Sequence, residues 1–325
     1  MKRTKKLQKI CELELEAVPP FSFKYTVYKP SHFPTKLEYF DEDSETMYRT
    51  LRLSQSKIIG LKMADLKKVK GRDGIAAEIF SNRQLTTKDL QKVKNHISYA
   101  YGVNEDIRLF YEAVTNEDSI QGSIKNLIGM RVSCFENLFE ILNISSMLQN
   151  TNVKRSEQMM ENMLSTFGHK VFYDGKHLYV FYTPQDIAHS SEQKLRDLKV
   201  GYRAKFLMAI AKYFSRNPDL EEKLKAMEFD EAKKELMKID GIGPYSARIA
   251  LFQYLRRPNE INFDSWKRKI FSKFFFGNEE ESVEKVEQES KKRWGNWAGY
   301  AGLYVIEDLF VKKPELQYWK KKITT

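Results

Sequence analysis

A glycine-containing turn between two helical patterns decides the fold. The stretch reads "KIDGIGPYSARIALFQYLRRPNEINFDSW", Lys238 to Trp266. Gly241 and Gly243 permit a tight turn whose backbone N–H groups point outward, and Pro244 suits the first position of the following helix. Outward N–H donors beside the positive end of a helix form an anion site. Near the end of the stretch, Asp264 places a lone carboxylate among apolar and aromatic residues.

Charge and cysteine content restrict the class of protein. The 325 residues carry 55 Lys and Arg against 44 Asp and Glu, a formal net charge of +11. Such an excess makes a polyanion the leading partner class, although a solvated surface can also carry it. We favour nucleic acid over membrane, because the sequence has no long apolar run and no lipid-anchoring segment. The two cysteines, Cys11 and Cys134, are too few for a disulfide framework or for a four-cysteine zinc or iron–sulfur site.

The hydrophobic pattern changes its period near residue 83. Before that point "CELELEAV" and parts of "FSFKYTVY" and "MYRTLRLS" alternate with period two, which predicts an antiparallel sheet. After it we expect a helix that begins at Thr86 or Thr87, followed by helices over most of the chain. Asp174-Gly175 lies between two aromatic, β-branched runs and predicts a small hairpin. The fold class is therefore α+β, with an amino-terminal antiparallel sheet and mostly helical domains after it.

The helical patterns can be given approximate bounds. They cover about 104–115, 133–149, 152–167, 191–198, 202–215, 219–238, 244–256, 264–276, 280–293 and 297–312. The basic amino terminus is interrupted by charges before a signal-peptide core can form. We therefore expect an intracellular protein.

The anion at the glycine turn is most simply a DNA phosphate. An ordinary corner between two helices explains the same glycines, so the neighbouring sequence has to decide. "LMKIDGIGPYSARIAL" resembles the helix-hairpin-helix of the DNA glycosylase superfamily (HhH-GPD), and "INFDSW" resembles its aspartate segment. "SSMLQNTNVKRSEQMMENMLSTFG" is similar to the helix that follows the family's base-displacing loop.

Two further segments narrow the resemblance to the 8-oxoguanine and 3-methyladenine DNA glycosylase branch. "LRDLKVGYRAKFLMAIAKYF" and "WGNWAGYAGLYVIEDL" resemble the 8-oxoguanine glycosylases, as does the stranded amino-terminal third. The resemblance implies three units. These are a sheet domain (1–83), a helical subdomain made of 84–132 and 257–325, and a second helical subdomain (133–256) that contains the hairpin at about 229–256.

The resemblance implies that Asp264 is the catalytic carboxylate. Cleavage of an N-glycosidic bond builds positive charge on the sugar, which a carboxylate in an apolar pocket stabilises while it orients a water molecule. Phe263 and Trp266 would supply the apolar wall. Taken alone, Asp264 is better explained as the N-cap of a helix, and the two roles are compatible.

The hairpin differs from the family at one position. Family members that also cleave the DNA backbone carry a lysine there. That lysine forms a Schiff base with the sugar, but the matching position here is Tyr245, which cannot form an imine. The resemblance then implies a monofunctional enzyme in which Tyr245 borders the flipped base. Packing of Tyr245 between helices is the alternative. Gly241, Ile242, Gly243 and Tyr245 would form the DNA-binding hairpin.

Base specificity is the second departure. The glutamine, phenylalanine and cysteine with which the 8-oxoguanine branch reads its base align with Gly302, Ile306 and Ile249. We expect an aromatic base pocket instead, lined by Trp297, Tyr300 and Tyr304 at helical spacing, which would suit an electron-poor alkylated base. An aromatic stripe packed in the core explains at least two of the three equally well.

Base flipping also needs a side chain that fills the vacated stack and groups that hold the phosphates. Gln149 or Asn150 is expected to fill the stack, with Leu178 as a weaker second wedge, although polar residues at such a turn are usually turn-formers. Lys154, Arg155 and Lys267 are expected to contact phosphates.

No cofactor is expected beyond a structural Na⁺ or K⁺. The resemblance places such a cation on the backbone carbonyls of Met237, Ile239 and Ile242. The expected partner is damaged double-stranded DNA bound by a monomer, with no membrane partner.

Three functions remain open on the sequence. The first is a monofunctional glycosylase that releases an alkylated or deaminated purine, such as 3-methyladenine. The second is an 8-oxoguanine glycosylase with an altered base-reading pocket. The third is a non-catalytic helix-hairpin-helix module that only binds DNA. This function does not explain Asp264 or the base-filling loop.

Overall fold

The amino-terminal third forms a five-stranded antiparallel sheet. The computed structural model describes residues 4–31, 35–134 and 137–313. Its first strands are β1 (Lys5–Lys6), β2 (Gln8–Glu16), β3 (Glu38–Asp41), β4 (Thr46–Arg52), β5 (Ile58–Asp65) and β6 (Gly74–Ser81). The sheet has the order β2-β6-β5-β4-β3, and every neighbouring pair is antiparallel. The α+β prediction is confirmed.

One predicted strand is wrong. "FSFKYTVY" contains the helix α1 (Phe23–Val27) and not a strand. The Ser22 side chain accepts a hydrogen bond from the Tyr25 N–H and caps this helix. The local cap outweighs an alternating pattern that spans only a few residues. A second short helix, α2 (Leu66–Lys70), follows β5.

The helix predicted to begin at Thr86 is confirmed as α3 (Thr87–Tyr101). Thr86 and Asp89 form a reciprocal capping box, and Gly102 ends the helix in the left-handed conformation. The buried residues Val93, Ile97 and Tyr101 pack into the core of the sheet. This helix therefore belongs to the hydrophobic core of the sheet, although it lies beyond residue 83.

The rest of the chain is mostly helical. The elements are α4 (Arg108–Ala113), α5 (Asp118–Asn126), α6 (Leu138–Leu148), α7 (Val153–Phe167), β7 (His169–Tyr173), β8 (Lys176–Val180), α8 (Pro184–Ala188), α9 (Glu192–Asp197), α10 (Arg203–Arg216), α11 (Leu220–Ala226), α12 (Phe229–Leu236), α13 (Pro244–Gln253), α14 (Ser265–Phe276), α15 (Val283–Trp294) and α16 (Ala298–Lys312). Helices α5 and α8 were not predicted. None of the described helices is long and apolar enough to cross a bilayer.

The predicted hairpin between residues 169 and 184 is confirmed. Strands β7 and β8 are antiparallel, and both Asp174 and Gly175 have positive φ, 46° and 73°, as a tight two-residue turn requires. β1 pairs with β7 in parallel, so the hairpin forms a second, three-stranded sheet. Leu178 is 3% exposed and packs in the core between the two sheets. It cannot act as a DNA wedge, so that prediction is wrong.

Two helical cores flank the hairpin helices. One core is built from helices between α6 and α13, and the other from α4, α5 and helices α14 to α16. Arg256, directly after α13, joins them. Its Nε donates to Glu105 Oε1 at 2.6 Å and its Nη1 donates to the Val132 carbonyl at 2.9 Å. The cleft between these two cores carries the candidate site.

Candidate active site

The hairpin is formed by α12, a glycine turn and α13. Gly241 has φ of +89°, and a Cβ built on it would lie 2.4 Å from the Phe206 ring, so only glycine fits. Gly243 is the N-cap of α13, and no side chain caps this helix. Its φ of −92° is ordinary and a Cβ there would meet nothing within 4 Å. The turn therefore needs glycine for its backbone at Gly241 and not at Gly243.

Asp264 is the N-cap of α14. Its Oδ1 accepts a hydrogen bond from the Lys267 N–H at 2.8 Å, while Oδ2 has no partner among the described residues. The side chain is half-buried. The cap bond fixes the carboxylate and leaves one oxygen available, so the capping role is compatible with a chemical one.

Asp264 lines a cavity of about 390 Å³ that also receives the hairpin residue Tyr245 and the partly exposed Trp266. The three positions that align with the base readers of the 8-oxoguanine branch, Ile249, Gly302 and Ile306, also line this cavity. The aspartate, the hairpin tyrosine and the base-reading positions thus line one cavity beside the hairpin.

Tyr245 keeps its hydroxyl proton over the whole physiological range. Burial raises the pKa of Tyr245 to about 12, and the nearby Asp264 carboxylate acts in the same direction. The Asn262 amide beside it partly opposes this shift in pKa. Tyr245 therefore offers the cavity a neutral aromatic ring and no titratable base.

The Lys267 side chain is half-buried and lines the cavity. The expected phosphate contact of Lys267 stays a prediction. Burial lowers the pKa of Lys267, against the opposing effect of the Asp264 and Glu307 carboxylates. Lys267 forms no hydrogen bond or ion pair through its ammonium with any residue in the described ranges.

Lys29 and Glu307 also line the cavity, and other groups hold both of them. Lys29 Nζ donates to the carbonyls of Arg131 at 2.7 Å and Thr26 at 3.1 Å, and burial lowers the pKa of Lys29 to about 8. The Glu307 carboxylate accepts from the Ser31 hydroxyl at 2.5 Å and from its N–H at 2.9 Å. Burial raises the pKa of Glu307. The cavity is therefore more highly charged than the sequence suggested.

Asn262, two residues before Asp264, is a further polar wall of the cavity. It is 8% exposed, and neither its amide oxygen nor its amide nitrogen makes a well-formed hydrogen bond to a described residue. A buried amide without partners is costly, so this side chain is suited to receive a polar ligand.

Four of the expected base-pocket residues do not line the cavity. Phe263 is buried against Phe271, with ring centroids 5.6 Å apart. The others, Trp297, Tyr300 and Tyr304, pack around Phe110 at centroid distances of 5.9, 5.5 and 5.2 Å. The packed aromatic stripe is therefore correct for all three, because α16 and the turn before it direct these rings toward Phe110 of α4 and not toward the cavity.

The turn between α6 and α7 lies beside the hairpin. The Gln149 amide donates to Ser246 Oγ at 3.2 Å and is half-buried, whereas Asn150 is exposed with φ of +46°. Of the two expected stack fillers, Asn150 is thus the side chain that projects outward. Lys154 and Arg155 are exposed on the first turn of α7, in a position where phosphates can reach them.

The carbonyls expected to hold a monovalent cation lie in the turn of the hairpin. The Ile239 carbonyl already accepts a hydrogen bond from the Ile242 N–H at 3.0 Å and keeps one lone pair for another ligand. Met237 is exposed and Ile242 is buried. The cation site stays a prediction.

Sequence reasoning missed Lys29, Asn262 and Glu307. Glu307 alone carried a usable signal, since it is an acidic residue among apolar residues in "LYVIEDLF". Lys29 lies more than 200 residues from Asp264 in the chain, and no local pattern connects them. Only the fold brings these groups to one cavity.

Comparison with known proteins agrees with this geometry. Residues 144–296, which include the hairpin and Asp264, match the model of the HhH-GPD superfamily base excision DNA repair protein. The match covers just under half of the chain, and over this segment the chain is similar to the HhH-GPD superfamily.

Two curated relatives span most of the chain. A DNA-3-methyladenine glycosylase of Bacillus subtilis strain 168 is 23% identical over 274 residues, which cover 83% of this chain and 90% of the relative. A probable N-glycosylase/DNA lyase of Methanothermobacter thermautotrophicus is 22% identical over 233 residues, covering 66% and 74%.

A solved structure shares the whole fold. The 8-oxoguanine glycosylase/lyase of Clostridium acetobutylicum, in complex with double-stranded DNA that has cytosine opposite 8-oxoguanine, superposes with a TM-score of 0.70. It is 16% identical and covers 98% of both chains. At this identity the likeness concerns the fold. The named relatives thus include both glycosylases and glycosylase/lyases.

Proposed function

We propose that this chain is a monofunctional DNA glycosylase that hydrolyses the N-glycosidic bond of a flipped, damaged purine, alkylated or deaminated. One observation carries the proposal. The Asp264 carboxylate, fixed as a helix cap, shares a cavity with the hairpin residue Tyr245. The cavity can bury a base while the hairpin holds the adjoining phosphates by its backbone.

Asp264 acts on the sugar. The leaving base withdraws electrons and positive charge develops on C1′ and the ring oxygen of the deoxyribose. The free Oδ2 stabilises that charge and orients a water molecule toward C1′, while the Lys267 N–H holds Oδ1 at 2.8 Å. Because this bond is made before substrate arrives, the carboxylate needs no reorganisation during the reaction.

Tyr245 borders the flipped base. It occupies the hairpin position at which backbone-cleaving members of the superfamily carry their lysine, and a phenol cannot form the imine needed for strand cleavage. Its ring instead offers a stacking surface, and Trp266 with Phe310, at a centroid distance of 5.6 Å, offers another at the same cavity.

The protein binds DNA as a monomer through the hairpin and the first turn of α7. The uncapped start of α13 presents backbone N–H groups to one phosphate, and Lys154 and Arg155 meet others. Asn150 enters the stack that the flipped base leaves, with Gln149 behind it.

A glycosylase/lyase is the second candidate. Lys267 places an amine in the same cavity as Asp264, and burial lowers the pKa of Lys267 from its ordinary value, which increases the fraction of the nucleophilic neutral form. Two observations favour hydrolysis over this alternative. Lys267 belongs to α14 and not to the hairpin helix α13, and the carboxylates of both Asp264 and Glu307 stabilise its charged form.

The test is release of free base with and without strand cleavage. Duplexes that carry hypoxanthine or 8-oxoguanine, together with methylated DNA, are incubated with the enzyme, and free base and strand breaks are measured in parallel. We expect free base, intact abasic strands and no covalent adduct after borohydride. Asp264→Asn is the inactive control.

Different results would reject the monofunctional mechanism and glycosylase activity itself. A borohydride adduct that disappears in Lys267→Met but persists in Lys269→Met would establish the lyase mechanism. Absence of released base from every duplex would reject glycosylase activity on these lesions altogether.

A further inference from the structure

The cavity contains polar groups that the reaction at the sugar does not use. Lys267 Nζ has no hydrogen-bond partner among the residues that the structure describes, and the Asn262 amide makes no well-formed hydrogen bond to them, although it lies beside the Tyr245 hydroxyl. Both side chains line the same cavity as Asp264. Buried polar groups in proteins almost always have partners, so a buried Asn262 amide without a well-formed hydrogen bond, beside the half-buried Lys267 ammonium in the same cavity, indicates a polar ligand.

The other charged groups of the cavity already have partners. Arg49 is paired with Glu38 at 2.9 Å, and Glu260 with Arg248 at 3.0 Å. The remaining two, Lys29 and Glu307, are held by the backbone carbonyls and by Ser31 as described above. Lys267 is therefore the cation that is left to meet the base.

We propose that Lys267 and Asn262 select a neutral purine with a carbonyl oxygen at C6 over a cationic methylated purine. This inference rests on the proposed function and names its substrate class. The ammonium of Lys267 donates to a purine carbonyl, and the Asn262 amide, which is both donor and acceptor, bonds to the polar edge of the base. A positively charged base gains from the aromatic walls but is repelled by the ammonium.

Two lesions share the chemistry of this site. Hypoxanthine and 8-oxoguanine both carry a C6 carbonyl beside an N1–H, and both are neutral. 3-Methyladenine in DNA carries an amino group at C6 and a positive charge. Gly302 and Ile306 take the positions of the 8-oxoguanine readers, so the known contacts to 8-oxoguanine are absent here. The experiment therefore measures hypoxanthine and 8-oxoguanine separately.

The experiment measures single-turnover base release from hypoxanthine and 8-oxoguanine duplexes and from methylated DNA, each divided by the spontaneous release rate of that base. For the full chain we expect at least one neutral lesion to exceed 3-methyladenine by about tenfold or more, the effect of one hydrogen bond to a charged group. Lys267→Met should reduce this preference about tenfold, and Lys267→Arg, which keeps a cationic donor, should retain most of it.

The ratio between two lesions is the decisive quantity. Both lesions are measured on the same protein sample, so partial unfolding of a variant cancels in the ratio. The intrinsic lability of each base cancels because each rate is divided by the spontaneous release rate. Asn262→Leu provides an independent second variant and should lower the same ratio. A preference for 3-methyladenine in the unaltered chain, or a ratio that Lys267→Met leaves unchanged, overturns the inference while the glycosylase proposal stands. No release of any base rejects both.

Discussion

Two helices begin at the same cavity, and they use their amino termini in opposite ways. Helix α13 starts at Gly243, which has no side chain to cap the helix. Helix α14 starts at Asp264, whose own carboxylate accepts the Lys267 N–H. In both cases the positive end of the helix dipole requires a negative partner. One helix takes that partner from its own sequence, and the other leaves the position open.

The difference separates binding from chemistry. An open amino terminus can recruit an external anion and suits a phosphate of any DNA sequence. A terminus capped by its own aspartate cannot recruit one, but it fixes a carboxylate in place at the cavity. The hairpin thus accounts for the affinity of the proposed enzyme, and Asp264 for its reaction.

The strongest test of this comparison is a pair of substitutions at Asp264. Asp264→Asn keeps the cap, because asparagine is as good an N-cap as aspartate, but it removes the charge. We expect base release to fall by about 10³-fold or more, with the melting temperature and DNA affinity nearly unchanged. Asp264→Ala should lose the same activity and, in addition, about 1 kcal/mol of the free energy of unfolding.

The two variants distinguish a cap from a catalyst. Single-turnover kinetics and thermal unfolding of the same preparations provide both numbers. If Asp264→Asn turns over at the rate of the unaltered chain, Asp264 serves as a helix cap alone.

A smaller effect is expected at Tyr245. Tyr245→Ala removes a stacking surface and should slow base release by about 10- to 100-fold, the loss typical of one base–aromatic contact. Tyr245→Phe keeps the ring and should retain most of the activity that Tyr245→Ala loses.

The pH profile tests the hydroxyl separately. Since the pKa of Tyr245 is raised to about 12, its neutral form persists through pH 10, above which an ordinary tyrosine would ionise. The pH dependence of base release below pH 10 should therefore be the same in the unaltered chain and in Tyr245→Phe. A change of rate below pH 10 that disappears in Tyr245→Phe would give the hydroxyl a chemical role.

The two glycines of the hairpin should respond differently to alanine. Gly241→Ala forces a positive φ on a side chain that would lie 2.4 Å from the Phe206 ring, and it should cost about 1–3 kcal/mol of the free energy of unfolding. Gly243→Ala meets open space and should change that free energy by no more than about 0.5 kcal/mol. Denaturant unfolding measures both. Equal losses would contradict the described turn.

The smallest effect belongs to the exposed cations. Lys154→Ala and Arg155→Ala should each weaken binding to every duplex alike and lower the salt dependence of log Kd by about 0.9 per lost phosphate contact. Lys125→Ala, an exposed lysine on α5, is the control and should leave the slope as it was. A change confined to damaged DNA would place these residues at the lesion instead.

The sequence predicted the elements whose cause is local. The helix start at Thr86 and the Asp174-Gly175 turn depend on neighbours a few residues away, and both are found where the pattern predicted them. "FSFKYTVY" failed for the same reason, because its alternation competes with a Ser22 cap that is also local. Where two local signals disagree, as the Ser22 cap and the alternation do here, the sequence alone does not show which of them is stronger.

The residues of the candidate site also fall into those with a local sequence signal and those that only the fold brings together. Asp264 and Tyr245 could be named because each lies within a recognisable segment, and the structure brings both to one cavity. The direction of α16 could not be predicted, since its aromatic and glycine faces have similar spacing. The inward position of Lys267 likewise depends on how α14 meets α16, which is a property of the assembled fold.

The glycine face of α16 also limits how this protein can change over evolutionary time. A Cβ at Gly302 would lie 2.7 Å from the Ile261 side chain. A larger residue at this position, such as the glutamine of the 8-oxoguanine branch, is therefore accessible only after Ile261 has moved or become smaller. The order of mutations is thus constrained, because a new base reader at residue 302 requires Ile261 to shift or to be replaced by a smaller residue first.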